Sequence, residues 1–178
     1  PNGTFTDFNV GNVSGSSQWG MCVGDFDNDG HKDVFSGGAY DGVHLMHITA
    51  PGQGNLQSLG NGSMFMQACN MADIDQDGVL DVFACHDDAV SRLWKGDEAG
   101  ALNNNQALMP LTSYDTGGYS NTDHSGNYGS VWTDFDRDGD IDLYIAKCRQ
   151  FVNDPQDPRR VNQLWVNDGE GNYTEEAS

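Results

Sequence analysis

One nine-residue pattern occurs three times in this chain. It reads Asp25-Phe-Asp27-Asn-Asp29-Gly30-His31-Lys-Asp33, then Asp73-Ile-Asp75-Gln-Asp77-Gly78-Val79-Leu-Asp81, then Asp134-Phe-Asp136-Arg-Asp138-Gly139-Asp140-Ile-Asp142. Carboxylates packed this densely repel one another unless a cation sits among them. Calcium suits such a loop, because it takes about six to eight oxygen ligands in a flexible arrangement. The carboxylates at positions one, three, five and nine are expected to converge on one ion per loop. The backbone carbonyl of position seven (His31, Val79 and Asp140) is expected to join them, giving about three Ca2+ in all. Glycine at position six permits the sharp bend.

These loops are not EF-hands, which need a bidentate Glu at position twelve; that place holds Ser36, Ala84 and Ile145. Short apolar, β-rich runs follow each loop: Val34-Phe35, Val82-Phe83-Ala84 and Leu143-Tyr144-Ile145-Ala146. Similar runs precede them, over 19–23, 64–71 and 128–132. Runs of this kind between Gly, Asn and Asp clusters read as strands. Each acidic loop therefore joins the two strands of a hairpin.

The sequence has 27 acidic residues against 8 Lys and Arg, a formal net charge of −19. Four acids lie in each of the first two loops and five in the third, thirteen of the 27. Nucleic acid, which needs basic patches, and anionic membrane surfaces are both excluded as partners. No apolar stretch approaches the roughly 20 residues of a membrane helix, so no membrane insertion is expected. Pro1 in the place of an initiator methionine is expected of a processed or excerpted chain.

Calcium modules of modest affinity work where calcium is abundant, which points to an extracellular or cell-surface location. Four cysteines are compatible there with two disulfides. Cys69 lies four residues before its loop and Cys85 four after it, a symmetry that in an antiparallel hairpin puts them opposite each other. Cys22 and Cys148 would be the second pair, with four free thiols as the alternative. Asn2, Asn12, Asn61 and Asn172 each begin an Asn-X-Ser/Thr sequon, and are expected glycosylation sites if the protein is secreted by a eukaryote.

The loops begin at 25, 73 and 134, and a second element recurs after each: Val43-His44-Leu45-Met46, Arg92-Leu93-Trp94-Lys95 and Gln163-Leu164-Trp165-Val166. Unit three continues Asn167-Asp168-Gly169-Glu170-Gly171-Asn172-Tyr173-Thr-Glu, and Asn2-Gly3-Thr-Phe5 looks like the end of the same segment. This combination resembles the FG-GAP/VCBS repeat family, over nearly the whole chain. The family's units carry Asp-X-Asp-X-Asp-Gly-X-X-Asp between strands, followed by Leu-Trp/Tyr-X-Asn-Asp-Gly-X-Gly-X-Phe. The resemblance implies calcium-binding β-propeller blades, integrin-α-like. The second segment is complete only in unit three; units one and two depart from it at 46–51 and 95–98.

The fold class expected is all-β, with three propeller-type blades of about four antiparallel strands each. The repeats are assigned to 1–60, 61–115 and 116–178. Propellers close with about four to eight blades, so three units form an open array or part of a larger or oligomeric propeller. An open array exposes strand edges, and the C-terminal strand is a candidate to complete the first blade of a neighbour. A fragment of a longer propeller, a closed ring and a head-to-tail filament all fit.

No nucleophile elbow, HExxH or phosphate loop is present. His44 and His47 fall on opposite faces of a strand, His86-Asp87-Asp88 reads as a turn, and His124 has no visible partner. No enzyme is expected. Trp19, Trp94, Trp132 and Trp165 are assigned to packing between blades, ahead of a sugar-stacking platform. Arg159-Arg160 marks an extended loop of unit three. The function expected is that of an extracellular, calcium-stabilised repeat protein with a structural or adhesive role, self-assembling through open blade edges as a filament or ring. Its partners are copies of itself or other extracellular proteins and glycans. The alternative is a ligand- or carbohydrate-binding propeller module of a larger receptor-like or secreted protein.

Overall fold

The structure is a computed structural model and describes residues 3, 6–13, 18–60, 62–111 and 125–176. Asn2, Asn61 and His124 lie outside them. Among the described residues, twelve strands form three antiparallel sheets of four, none closed into a barrel. The first blade holds β1 (Gln18–Gly24), β2 (Asp33–Gly38), β3 (Val43–Ala50) and β4 (Gln53–Gly60) in that spatial order. The second holds β5 (Met66–Ala72), β6 (Asp81–His86), β7 (Arg92–Gly96) and β8 (Leu102–Asn104). The third holds β9 (Asn127–Thr133), β10 (Asp142–Lys147), β11 (Gln163–Asn167) and β12 (Tyr173–Glu176). The three acidic loops join β1 to β2, β5 to β6 and β9 to β10.

One register repeats through all three sheets. Phe35 faces Leu45, Phe83 faces Leu93 and Tyr144 faces Leu164. The recurring Leu-Trp element is thus the third strand of each blade, and its phase is set by the apolar residues the second strand turns toward the neighbouring blade. Two apolar layers result. Phe35, Leu45, Cys69, Val82, Ala84 and Trp94 fill the layer between the first and second blades. Phe83, Cys85, Leu93, Leu143, Ile145 and Trp165 fill the layer between the second and third. Residues 82–85 alternate between the two layers, which is why β6 is buried throughout and reads as a continuous apolar run.

Three expectations are corrected. The proposed Cys69–Cys85 bridge fails on register: Ala72 already pairs with Asp81, so Cys69 stands opposite Ala84 and Cys85 opposite Ala68. Neighbours one step out of register point to opposite faces, and the two sulfurs lie in different apolar layers. Cys22 lies against the first layer whereas Cys148 is exposed beyond β10, so they do not pair either, and all four thiols are free. The strand-exchange idea fails because β12 completes its own sheet and the first blade has four strands of its own.

The third correction concerns tryptophan. Trp94 and Trp165 are core residues, 1% and 2% exposed, but Trp19 is 55% exposed. Trp19 shares the open outer face of β1 with Met21 and Val23, which are 67% and 54% exposed, so alternation along the strand directs it away from the core. Its ring stands edge-on to Phe65 instead, at 5.2 Å between centroids.

Candidate metal centre

Each acidic loop is folded by its own carboxylates. Position four takes a left-handed backbone without being glycine: Asn28, Gln76 and Arg137 have φ of 56°, 59° and 68°. Gly30, Gly78 and Gly139 follow at 91°, 89° and 104°. Positive φ at both residues turns the chain tightly enough for backbone N–H groups to reach back to aspartate oxygens. Asp25 accepts from the N–H of Gly30 at 3.1 Å, and Asp73 from that of Gly78 at 2.8 Å. Position five accepts from position seven in all three loops: Asp29 from His31 at 2.7 Å, Asp77 from Val79 at 3.0 Å and Asp138 from Asp140 at 3.1 Å. His31 also leans its ring on Asp29, with Nδ1 3.2 Å from Oδ1.

The aspartate at position nine does a second job. Asp33, Asp81 and Asp142 are each at most 1% exposed. One oxygen of each accepts from the N–H at position two: Phe26 at 3.1 Å, Ile74 at 2.9 Å and Phe135 at 2.7 Å. The other accepts from the end of the third-strand element: Ile48 at 2.8 Å, Gly96 at 2.8 Å and Asn167 at 2.9 Å. This carboxylate pins the loop to the sheet. In Asp81 burial is the strongest effect and raises the carboxyl above its ordinary range, against the lowering effect of its two N–H bonds.

Three carboxylate oxygens converge in each loop to within 4.8 Å of one another. The trio is Asp25, Asp27 and Asp29 in the first loop, Asp73, Asp75 and Asp81 in the second, and Asp134, Asp136 and Asp142 in the third. Asp33, Asp77 and Asp138 stand outside these trios, so the four-carboxylate convergence read from the sequence is three-carboxylate here. The donor set still fits a hard divalent cation. Oδ1 of Asp25 and Oδ1 of Asp75 are buried and accept no hydrogen bond, a costly arrangement for carboxylate oxygens unless a cation takes them.

The loops differ in the charge placed beside them. Lys95, from β7, donates to both Asp75 and Asp77, and that pairing holds Asp77 below the usual carboxylate range. His47, at the same place in β3, brings Nδ1 to 3.7 Å from Asp33 and 4.0 Å from Asp27. In the third blade that place is held by Val166, which supplies no charge. There Asp136 is pushed up, by partial desolvation first and then by the charges of Asp138 and Asp142. Lys95 and His47 were legible only by aligning the third strands on Leu45, Leu93 and Leu164, two residues before each place.

A glycine turn of one blade leans on the loop of the blade before it. Gly52, Gly100 and Gly171, equivalent in the repeat, have φ of 78° each. A side-chain carbon at Gly100 would lie 2.5 Å from Cβ of Asp27, and one at Gly171 would lie 3.3 Å from Cα of Asp75. The third loop has no such neighbour among the described residues, and Asp134 and Asp136 are exposed where their counterparts are half-buried.

Of the other expected sites, Asn12 and Asn172 are exposed, and the side-chain amide of Asn172 donates to Asp168 at 3.0 Å. His44 and His86 are buried, and Nδ1 of His86 accepts the N–H of Asp88 at 3.1 Å. Arg159 forms a two-pronged ion pair with Asp157, at 2.8 and 2.7 Å, which draws that carboxyl down to about 2. Among the described residues no helix is long and apolar enough to cross a membrane.

No curated protein matches the chain. Residues 25–84, from the first acidic loop through the second and into β6, match the family model described as FG-GAP-like repeat, and they lie in an all-β array of propeller-type blades.

Proposed function

We propose that this is an extracellular, calcium-stabilised, non-catalytic structural or adhesive protein that assembles with copies of itself, blade face against blade face. The observation that carries the reading is the pair of outer blade faces. Phe26 and Ile74, at position two of their loops, are buried between blades, whereas Phe135 is 62% exposed. Phe35 and Phe83 are fully buried, whereas Tyr144 at the same place is 37% exposed. On the far side of the first blade Met21 is 67% exposed, whereas its counterpart Cys69 is buried.

The outer face of the third blade therefore repeats the surface that the first two blades bury. The outer face of the first blade repeats the surface that the second and third bury. Exposed apolar faces of this kind favour association, and unlike faces at the two ends make the contact head-to-tail, as a ring or a filament. Calcium, about one ion per loop, neutralises the carboxylates and converts binding energy into folding energy.

Light scattering of the chain in millimolar calcium tests this. Assemblies that Phe135→Asp and Met21→Asp each reduce to monomers support it, and a monomer in the unsubstituted chain overturns it.

A second reading is favoured by the placement of Trp19. At the ends of the blades opposite the acidic loops, a groove of about 360 Å³ is lined by Trp19, Phe65, Tyr128 and Phe151, with Asp87 and Asp88 beside them. Aromatic walls with carboxylates at the rim suit a carbohydrate. Glycan binding that Trp19→Ala abolishes in the monomeric Phe135→Asp background would support this reading; an empty glycan array would remove it.

A further inference from the structure

We propose that Cys22 and Cys69 form a disulfide that staples the first blade to the second. Cys69 is 6% exposed within the apolar layer between these blades, and Cys22 packs half-buried against the same layer. The two residues come from β1 and β5, strands of different sheets that pack against each other; Cys22, ahead of burial, holds the Cys69 thiol well above the ordinary thiol range. The backbones are close as well: a side-chain carbon on Gly20 would lie 3.1 Å from Cα of Ala68.

The repeat supplies an independent measure of this geometry. One blade later, the positions of Cys22 and Cys69 are held by Asn70 and Ser130, and there the amide of Asn70 donates to Oγ of Ser130 at 2.8 Å. Short side chains at these two positions therefore meet across both blade boundaries. A disulfide needs two short side chains that meet in this way. The inference rests neither on calcium nor on self-assembly.

The chemistry needs a low-molecular-weight disulfide such as oxidised glutathione. The Cys22 thiolate, the more open of the two, attacks it; the glutathione S–S bond breaks, one glutathione leaves as thiolate and Cys22 becomes a mixed disulfide. Cys69 then loses its proton and attacks the Cys22 sulfur, expelling the second glutathione. Two protein thiols are oxidised, and one glutathione disulfide is reduced to two thiols.

The test equilibrates the native chain with oxidised glutathione, blocks remaining thiols under denaturing conditions and maps peptides without reduction. The expected result is a loss of about 2 Da before blocking, a cross-linked peptide joining Cys22 to Cys69, and alkylated Cys85 and Cys148. Closing this long loop should raise Tm by about 10 °C over the reduced chain. That difference should vanish in Cys69→Ser, which copies the serine of the next blade. A lasting glutathione adduct on Cys22 with Cys69 alkylated, a cross-link to Cys85 or Cys148, or unchanged mass would overturn the proposal. The unsubstituted chain alone decides it, even if the variant fails to fold.

Discussion

Arg149 donates from Nη1 to Oδ1 of Asp88 at 2.9 Å, and the two residues stand at the same position of successive repeats. Tyr40 holds that position in the first blade, and its phenol donates to the other oxygen of Asp88. One side chain per blade thus forms a chain of hydrogen bonds across both boundaries. Backbone bonds run beside it: the N–H of Tyr40 reaches the carbonyl of Met64 at 2.9 Å, and that of Gly126 reaches the carbonyl of Asp87 at 2.7 Å. The blades are tied at this end by polar contacts and in the middle by apolar layers. At the loop end the glycine turns seat them.

Burial, and then the bond to Asp88, pushes the Tyr40 phenol up to about 12. A phenol ordinarily titrates near about 10, so the folded chain holds this proton more tightly than the unfolded one. The stability linked to it is complete below about pH 10 and is lost as pH rises through about 12. Phenolate absorbance should show a late-titrating component that Tyr40→Phe removes and Asp88→Asn shifts to lower pH. Identical titration curves for all three proteins would contradict the contact.

Lys95 competes with any cation in the second loop, because its ammonium already occupies Asp75 and Asp77. Lys95→Met keeps the stem and removes the charge. Calcium affinity of that loop should rise about five- to tenfold, the scale of a partly exposed ion pair. In chelator the same variant should melt lower, since the carboxylates then repel without relief. Calorimetric titration and paired melts with and without calcium check both halves.

The acidic loops separate into aspartates that hold metal and aspartates that hold the fold. Asp136 offers its carboxylate to the metal trio and an exposed turn, so Asp136→Ala should lower Tm in calcium and leave it unchanged in chelator. Asp142 satisfies two backbone N–H groups while fully buried. Losing both acceptors costs about 3 kcal/mol, so Asp142→Ala should be destabilised by that amount in chelator as well. Denaturant melts in both conditions distinguish the roles, and equal losses for the two variants would contradict them.

Much of this was legible in the sequence because the repeat states it three times. The Asp-X-Asp-X-Asp-Gly spacing located the hairpin loops, and the Leu that recurs at 45, 93 and 164 located the third strands. What escaped were relations between repeats. The symmetric spacing of Cys69 and Cys85 suggested a pair, but a ladder that begins at Ala72–Asp81 sends them to opposite faces. Trp19 looked like the buried tryptophans, but it lies on the face of β1 that no preceding blade covers, with Met21 and Val23. Lys95 and the Tyr40–Asp88–Arg149 chain are unlike residues at like positions, so no motif announces them; only the pairing of strands and the stacking of blades brings them together.

The last relation links metal binding in one blade to a turn in the next. Gly171 adopts φ of 78°, and a side-chain carbon there would press on the backbone of Asp75 at 3.3 Å. Gly171→Ala should cost about 1 kcal/mol for the left-handed backbone alone. It should also weaken calcium in the second loop while leaving the third loop unchanged, because the turn touches Asp75 and not Asp136. Backbone amide shifts of Gly78 and Gly139 report the two loops separately during one calcium titration. A weaker transition at Gly78 with an unaltered one at Gly139 would show that each blade supports the metal loop of its predecessor. Equal changes at both glycines would mean that the substitution merely loosens the third blade.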